Sequence, residues 1–301
     1  MHVLTKLAWD DPALDVASDS QRTARYRRLQ SWYRHHELGA PHGRFAERPV
    51  GSWLCPRAVA ADRGLNFLSE DAAAYAEARA VQVQAEGGTL EPVRLFHNML
   101  SSMPLCFSIF GHLRALPDRG LAVVRELFDP QAEEVLGIEC EWRPDLNYLG
   151  DRTAFDAMIR TRRSDDEVHL VGIEVKYTES FSPKEYERPA YFAVEEGSGW
   201  FHPDPEKALV SRATNQLWRN TLLAAVIEMH EPTVDSAAVV VLALDQDPGV
   251  QAAMAGMRKY VLEKRCRSVS LHQLIAAARN ADLDEWAGRL ERRYVDTSPV
   301  D

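Results

Sequence analysis

The chain has 301 residues, of which 46% are hydrophobic and 27% charged, a composition typical of a globular protein with a substantial core. Its formal net charge of −10 excludes wholesale electrostatic wrapping of nucleic acid, but it leaves room for a local basic groove. The longest apolar run, residues 237–244, is far too short to span a bilayer, and the N-terminal stretch lacks the apolar core of a signal peptide. These features predict a soluble, cytoplasmic protein without membrane association.

The first predicted element is a helix over residues 19–38, with Asp19 or Ser20 as its N-cap. It is the most basic stretch of the chain, because its interior carries several arginines, interleaved with aromatic residues, and no acidic residue. Such a pattern predicts contacts with nucleic-acid phosphates. The arginines predicted to make these contacts are Arg22, Arg25 and Arg28. The alternative is a solvated helix face whose aromatic side chains pack inward.

A loop rich in turn residues is predicted next, followed by a helix over Glu70–Ala85 that stops at a Glu-Gly-Gly sequence. Residues 91–113 are predicted to form one largely buried helix, interrupted or kinked near Pro104, and residues 117–129 a shorter helix. Four scattered cysteines include no CxxC pair, which argues against zinc and predicts buried, reduced thiols.

From Ala132 the hydrophobic period changes to two, which indicates β-strands. The predicted strands cover residues 134–142, 153–162, 168–180 and 236–246. A short polar connection between the second and third predicts an antiparallel hairpin. A long helix over residues 206–231 precedes the last strand, and the remainder is predicted to be mostly helical. This order predicts an α/β fold, a small mixed β-sheet flanked by helices, over residues 96–301, with residues 1–95 as a helical region packed on it.

Acidic residues interrupt the apolar runs on three successive predicted strands. They are Glu139 and Glu141, then Asp156, and then Glu174, which stands two positions before Lys176. Buried carboxylates are costly unless they are paired or bound to a metal, and clustered oxygen ligands suit Mg²⁺. A lysine beside such a site could stabilise developing negative charge. The alternative is an exposed strand face with a surface ion pair, which would be worth little energetically.

An aspartate, a hairpin and then Glu-x-Lys on the next strand resemble the core motif of the PD-(D/E)xK nuclease superfamily, which has the restriction-endonuclease-like fold. Asp156, Glu174 and Lys176 match this motif, whereas the proline of its name is absent before Asp156. Three stretches also resemble bacterial restriction-endonuclease-like proteins and occur in the same order: NMLSSMPLCF, GDRTAFDAMI with GIEVKYTES, and NQLWRN. The resemblance covers roughly residues 96–245.

This resemblance implies a Mg²⁺-dependent DNA endonuclease, with Mn²⁺ as a substitute, that hydrolyses phosphodiester bonds with metal-activated water in genome or phage defence. By the same resemblance Asp156, Glu174 and the Val175 carbonyl bind the metal. Lys176 positions the attacking water and steadies the charged transition state. A further carboxylate ligand is expected from Glu141, with Glu139 as the alternative on the same face.

Gln216, Arg219 and Asn220 are spaced i, i+3, i+4 and therefore share one face of the predicted helix over residues 206–231. The resemblance assigns them to the scissile phosphate or to bracing Lys176. Gln216 is accordingly predicted to be catalytic, and Arg219 and Asn220 to bind nucleic acid. A further polar set, Asn98, Ser101 and Ser102, is better explained by hydrogen bonds to neighbouring backbone.

Other interpretations stay open beside the nuclease. The chain could be an inactive nuclease-fold module that binds nucleic acid or a protein partner, or a structural component of a defence complex. No P-loop or nucleophile elbow occurs in the sequence. The expected partners are DNA and either a second copy of the chain or a defence-system protein, because double-strand cutting with one active centre per chain commonly needs two chains.

Overall fold

The structure is a computed structural model that describes residues 8–88, 90–203 and 207–301. The α-helices of these ranges are α1 (Gln21–His36), α2 (Pro56–Ala61), α3 (Glu70–Ala85), α4 (Pro92–His97), α5 (Ser102–Leu113), α6 (Pro117–Leu127), α7 (Pro189–Gly197), α8 (Asn215–His230), α9 (Pro248–Met257), α10 (Leu271–Asn280) and α11 (Asp284–Tyr294). The β-strands are β1 (His42–Phe45), β2 (Arg48–Leu54), β3 (Ala132–Trp142), β4 (Phe155–Arg163), β5 (Val168–Val175), β6 (Ser236–Ala243) and β7 (Cys266–Ser270).

The chain divides into two compact units. The first comprises the described residues up to Ile109 together with Asp284–Asp301, and the second comprises Phe110–Leu283. The boundary predicted after residue 95 concerned the start of the nuclease-like core, and it stays a prediction. Within the described ranges no helix is both long enough and apolar enough to cross a membrane.

The first unit begins its regular structure at Ser20, whose hydroxyl accepts a hydrogen bond from the Thr23 backbone N–H at 3.1 Å and caps α1. The helix prediction is therefore confirmed. The predicted loop that follows is wrong, because β1 and β2 form an antiparallel hairpin there. The hairpin turns at Ala46, which has a positive φ of 50°, and Gly43, Pro49 and Gly51 lie in its strands rather than in a loop.

The predicted helix over residues 91–113 is in fact two helices, α4 and α5. They are separated at Asn98–Ser101, and Pro104 lies in the first turn of α5, where its missing N–H removes no hydrogen bond. The Asn98 side chain accepts from the Leu100 N–H at 3.1 Å, and Ser101 Oγ accepts from the Met103 N–H at 3.2 Å. These side chains satisfy neighbouring backbone, as the structural interpretation of them predicted.

The second unit is built around a sheet whose strand order, within the described residues, is β3-β4-β5-β6-β7. The pairs β3/β4 and β4/β5 are antiparallel, which confirms the predicted hairpin. The pairs β5/β6 and β6/β7 are parallel, so each needs a crossover connection; α7 and α8 lie on the first and α9 on the second. The predicted α/β fold, a small mixed sheet flanked by helices, is confirmed.

The predicted helix over residues 206–231 is too long at its start, where residue 206 lies outside the described residues. It begins only at Asn215, because a 3₁₀ turn at Ala208–Val210 precedes it and the Thr214 hydroxyl donates to the Leu209 carbonyl at 2.9 Å. The region after β6 is mostly helical, as predicted, but the prediction missed β7. This strand has only five residues with two buried positions, which is too short to show a period.

The core of the second unit places apolar side chains of α7, α8 and α9 against one face of the sheet. Central strand β5 is buried along almost its whole length, so both its faces are covered. All four cysteines are free thiols; Cys106, Cys140 and Cys266 are buried, as predicted, whereas Cys55 is only half-buried.

Candidate active site

The first two residues of the predicted motif are neighbours on β4 and β5. Ala157 pairs with Ile173, so the next positions along the ladder bring Asp156 beside Glu174 on one face of the sheet. The Val175 backbone N–H donates to Asp156 Oδ2 at 2.7 Å. This bond fixes the aspartate at the point where β5 ends.

Glu141 extends the same row onto β3. Cys140 pairs with Ala157 and Trp142 pairs with Phe155, so Glu141, between Cys140 and Trp142, lies opposite Asp156. Glu141 has a positive φ of 50° and raises the pKa of Asp156 through its charge, whereas Glu139 lies opposite the buried Met158. The geometry favours Glu141 over Glu139 as the accessory carboxylate, and its role as a ligand stays a prediction.

Lys176 and Glu174 form a buried ion pair. Their Nζ and Oε1 atoms are 2.8 Å apart, and the residues are only 7% and 2% exposed. The alternative of a surface ion pair on an exposed strand face is therefore wrong. Burial alone would lower the pKa of Lys176, but the carboxylates of Glu174 and Asp156 outweigh it and raise the pKa above its ordinary value. The lysine is thus a permanent ammonium group at this site.

At Asp156, unlike at Lys176, the surroundings disfavour the charged form of the side chain. Desolvation by the surrounding protein raises its pKa well above the ordinary value, and the charges of Glu174 and Glu141 raise it further. Lys176 and the Val175 N–H lower the pKa, but they compensate only in part. The carboxyl group of Asp156 therefore holds its proton more tightly than an ordinary aspartate does.

Helix α8 holds the glutamate with two amide side chains. Gln216 Nε2 donates to Glu174 Oε1 at 2.6 Å, and Asn220 Nδ2 donates to Glu174 Oε2 at 2.6 Å. Gln216 Oε1 in turn accepts from Lys176 Nζ at 3.3 Å. Of the two roles predicted for this helix face, bracing the charged pair is the one that the described contacts support for these two residues.

Arg219, the third residue of that helix face, is engaged by two side chains that sequence reasoning missed in this role. Its guanidinium donates to Asp151 Oδ2 at 2.9 and 3.1 Å and to the Thr153 hydroxyl at 2.5 Å, and it lies 4.5 Å from the centre of the Tyr186 ring. Asp151 belongs to the GDRT stretch that carried the resemblance, but no pattern singled it out. Contacts of Arg219 and Asn220 with nucleic acid stay predictions.

The segment that follows the motif is tied to the start of α8. Asn215, which is fully buried, accepts from the Tyr186 N–H at 3.0 Å and donates to the Tyr186 carbonyl at 3.0 Å. Gln216 Oε1 also accepts from the Ser182 N–H at 2.7 Å. The Phe181 ring lies 4.7 Å from Lys176 Nζ, a cation–π distance. Asn215 was also missed, because its partner is 29 residues away in the sequence.

The predicted phosphate-contacting arginines lie in the first unit. Arg25 forms an ion pair with Asp301, and Arg28 pairs with Asp15 at 3.0 Å, although both arginine side chains are about half exposed. Asp15 and Asp301 thus reduce the positive charge of α1, which favours the alternative of a solvated helix face. The Arg22 guanidinium lies 6.0 Å from the Tyr26 ring. Binding of nucleic acid by these residues stays a prediction.

The donor atoms at the sheet edge suit a hard divalent cation. Within the described ranges no group of three or more His, Cys, Asp or Glu side chains is arranged to hold a metal ion. The three predicted carboxylates Asp156, Glu174 and Glu141 therefore do not form such a group in the structure, and the role of Glu141 as a ligand stays a prediction. Asp156, Glu174 and the Val175 carbonyl would supply oxygen ligands, which Mg²⁺ takes together with water. Asp156 lies beside Glu174 and Glu141, whose charges help to raise its pKa, and a bound cation would offset this repulsion.

Comparison with known proteins gives one match. A family model described as the PD-(D/E)XK nuclease superfamily matches residues 17–296, a wider range than the segment on which the resemblance was recognised. Searches of curated proteins and of solved structures gave no match. Nucleases of this superfamily typically use divalent metals. With a family match over nearly its whole length, and with an aspartate, a glutamate and a lysine side by side on the sheet, the chain belongs to the PD-(D/E)XK nuclease superfamily.

Proposed function

We propose that this protein is a Mg²⁺-dependent DNA endonuclease that hydrolyses phosphodiester bonds at the row formed by Asp156, Glu174 and Lys176. The observation that carries the proposal is the buried Lys176–Glu174 pair, 2.8 Å apart, next to an aspartate whose pKa is raised. A buried ion pair of this kind is weak support for stability, because desolvation offsets most of the attraction. The burial of this ion pair beside a further carboxylate is better explained by a catalytic role than by a contribution to stability.

The residues of the site have distinct proposed roles. Asp156, Glu174 and the Val175 carbonyl would hold the cation, with Glu141 as an accessory ligand. The cation would supply Lewis-acid polarisation of the phosphate and a lowered pKa for water. Lys176, a permanent ammonium group, stabilises the negative charge that develops on the phosphate in the transition state. Gln216 and Asn220 orient Glu174 and so act as positioning residues.

Purified protein incubated with plasmid and linear DNA tests this function. Cleavage is expected with Mg²⁺ or Mn²⁺ and is expected to stop in EDTA. Lys176→Ala should lower the cleavage rate by about 100-fold or more, the usual loss when one preorganised charge is removed. Lys184→Ala removes an exposed lysine of the same segment and should cut like wild type.

Folding must be checked because Lys176 is buried, so Lys176→Met, which keeps much of the side-chain volume, and thermal unfolding of each variant accompany the assay. Full activity of a folded Lys176 variant, or cleavage that persists in EDTA, would falsify the proposed mechanism. Absence of cleavage by wild type on every DNA and RNA substrate would favour the alternative, an inactive nuclease-fold module that binds nucleic acid or a protein partner.

The finer parts of the proposal rest on the superfamily and on the sequence. DNA as the substrate, a role in genome or phage defence, a homodimer or defence-system partner, and action in the cytoplasm are all predictions. The superfamily supports nuclease activity and nucleic-acid binding in general. The cleavage assay with DNA and RNA side by side, run at several protein concentrations, addresses the substrate and the number of chains.

A further inference from the structure

A polar cavity of about 660 Å³ opens at the carboxyl ends of β6 and β7. Its lining comes from the last residues of these strands, from the segment that follows β6, from α9 and from the start of α10. The polar side chains of the lining include Ser268, Ser270, Gln251, Arg258 and Gln273. None of them belongs to the motif or to the residues that brace it.

The register of the sheet connects this cavity to the active site. Glu174 pairs with Val241 on β6, and Val241 pairs with Ser268 on β7, so Glu174 and Ser268 lie in one row on one face. The Lys176 N–H donates to the Leu242 carbonyl at 2.8 Å, which carries the pairing one residue beyond β5. Two strand spacings separate the ends of the row, about 10 Å. Ser268, which lines the cavity, therefore lies on the same face of the sheet as Glu174, on the other side of the buried Val241.

The cavity lining carries two aspartates, Asp245 and Asp247, and one cation, Arg258. Asp245 pairs with His272 at 2.9 Å, and Asp247 accepts from the Val250 N–H at 2.9 Å as the cap of α9. Both carboxylates are thus engaged by the protein, while Arg258 is an exposed cation of the lining. A surface meant for several phosphates would carry more cations than this.

The remaining groups are amides and hydroxyls, which both donate and accept hydrogen bonds. An amide side chain can form a pair of hydrogen bonds with the edge of an adenine, and a serine hydroxyl can form a hydrogen bond with any base. A single guanidinium can bind one phosphate or the edge of a guanine. Gln273 Oε1 accepts from the Ser270 N–H at 2.8 Å in the capping box of α10, which fixes the direction of its amide. Gln251 is exposed on α9. This combination matches nucleotides better than an apolar ligand or a polyanion.

We propose that this cavity receives the nucleotides on one side of the scissile phosphate, with Arg258 on the sugar–phosphate backbone and Gln251 on a base edge. The inference rests on the proposed nuclease function. Because one base pair advances about 3.4 Å along a duplex, a separation of about 10 Å corresponds to roughly three base pairs. The enzyme therefore has a base preference about three positions from the cut, on one side only.

Cleavage of a DNA pool randomised around the cut, with sequencing of the product ends, tests the site. Gln251→Ala flattens the base preference at about the third position and leaves other positions unchanged. Arg258→Ala raises KM by about tenfold with little change in kcat, as expected for a contact made equally in the ground and transition states. Lys259→Ala is the matched control, since it removes the neighbouring exposed cation, which does not line the cavity.

The design separates failure of the inference from failure of the proposed function. Should wild type cut DNA while Arg258→Ala and Gln251→Ala keep its KM and its base preference, the cavity proposal is overturned and the nuclease stands. If wild type does not cut, the nuclease proposal fails, and binding of a labelled duplex in EDTA decides about the cavity. A tenfold weaker binding of Arg258→Ala than of Lys259→Ala then supports the cavity as a nucleic-acid site, and equal binding overturns it.

Discussion

At the scale of single residues, Asp156 is a side chain whose ionised form is disfavoured by its surroundings. Its carboxylate sits beside Glu174 and Glu141, and burial together with these charges raises its pKa well above the ordinary value. A group of this kind destabilises the folded chain increasingly as the pH rises, because the folded state resists losing the proton that the unfolded state gives up. Functional residues often carry such a cost.

Asp156→Asn is expected to abolish cleavage and at the same time to stabilise the metal-free protein. The amide removes the repulsive charge, and its oxygen can still accept the Val175 N–H. In EDTA at pH 8 the gain in unfolding free energy should be roughly 1–2 kcal/mol, shrinking as the pH falls towards the ordinary pKa of aspartate. Thermal unfolding measures it, with Asp145→Asn, an exposed carboxylate, as the control. A lower Tm for Asp156→Asn than for wild type would contradict the electrostatic account.

Asn220 is an uncharged side chain that orients a charged one, Glu174. It is buried and donates to Glu174 Oε2 at 2.6 Å. Asn220→Asp places a second carboxylate against Glu174, so activity and apparent metal affinity should fall by about 10- to 100-fold, the usual range for partners of metal ligands. Metal titration of the cleavage rate measures this.

Asn280→Asp is the matched control for that substitution. Asn280 makes the same kind of bond, with both oxygens of Glu126 at 3.1 Å, on an exposed helix face. It should cleave like wild type. Equal losses in the two variants would mean that Asn220 acts only through general stability.

At the scale of elements, a second polar cluster anchors β4 at the end of the sheet away from the motif. Asp129, just after α6, accepts from the Thr161 hydroxyl at 2.6 Å and pairs with Arg163 at 3.0 Å. Burial alone would raise the pKa of Asp129, but the hydrogen bonds from Arg163 and Thr161 outweigh it and lower the pKa. The ionised carboxylate is therefore part of what joins α6 to the sheet.

Asp129→Asn should destabilise the fold by about 1–3 kcal/mol, because it removes the fully buried carboxylate of the Arg163 guanidinium and leaves it only the partly exposed Glu167, 3.0 Å away. Glu134→Gln breaks the neighbouring but exposed pair with Arg162, 3.1 Å long, and should cost no more than about 1 kcal/mol. Urea unfolding at pH 7 compares the two. Similar midpoints for both variants would show that the buried network does not hold α6 and β4 together.

At the scale of the whole molecule, stability should depend on pH through a histidine outside the site. His169 lies at the start of β5 with Nδ1 2.7 Å from Ser236 Oγ, and burial lowers its pKa to about 4. The unfolded chain binds this proton near pH 6.5, so stability is complete above that pH and is lost as the pH falls towards 4. The contribution is at most about 3 kcal/mol.

Unfolding free energies measured at intervals between pH 7 and pH 4 test this. Wild type should lose up to about 3 kcal/mol more over the range than His169→Asn, whose amide can keep a hydrogen bond to Ser236. His202→Asn replaces an exposed histidine and should follow the wild-type curve. Parallel curves for wild type and His169→Asn would remove His169 from the acid sensitivity of the fold.

Sequence reasoning succeeded where the deciding contacts are local. The period of two, the short polar turn and the Glu-x-Lys spacing predicted the hairpin and the neighbouring positions of Asp156, Glu174 and Lys176. It failed where the partner comes from far along the chain. No pattern in the sequence predicts the partners of Asn215, of Asp151 or of the acids that pair with the arginines of α1.

The sequence by itself determined the fold class, the superfamily and the charged motif, since strand periodicity and residue spacing are properties of short segments. Only the tertiary structure decided that the Lys176–Glu174 pair is buried, that two amides of α8 clamp the glutamate, and that Ser268 on β7 continues the active-site row. The physical reason is the parallel half of the sheet. Parallel strands are joined by long crossovers, so residues 67 positions apart on β5 and β6, and 27 apart on β6 and β7, become neighbours through a ladder register that no local pattern encodes.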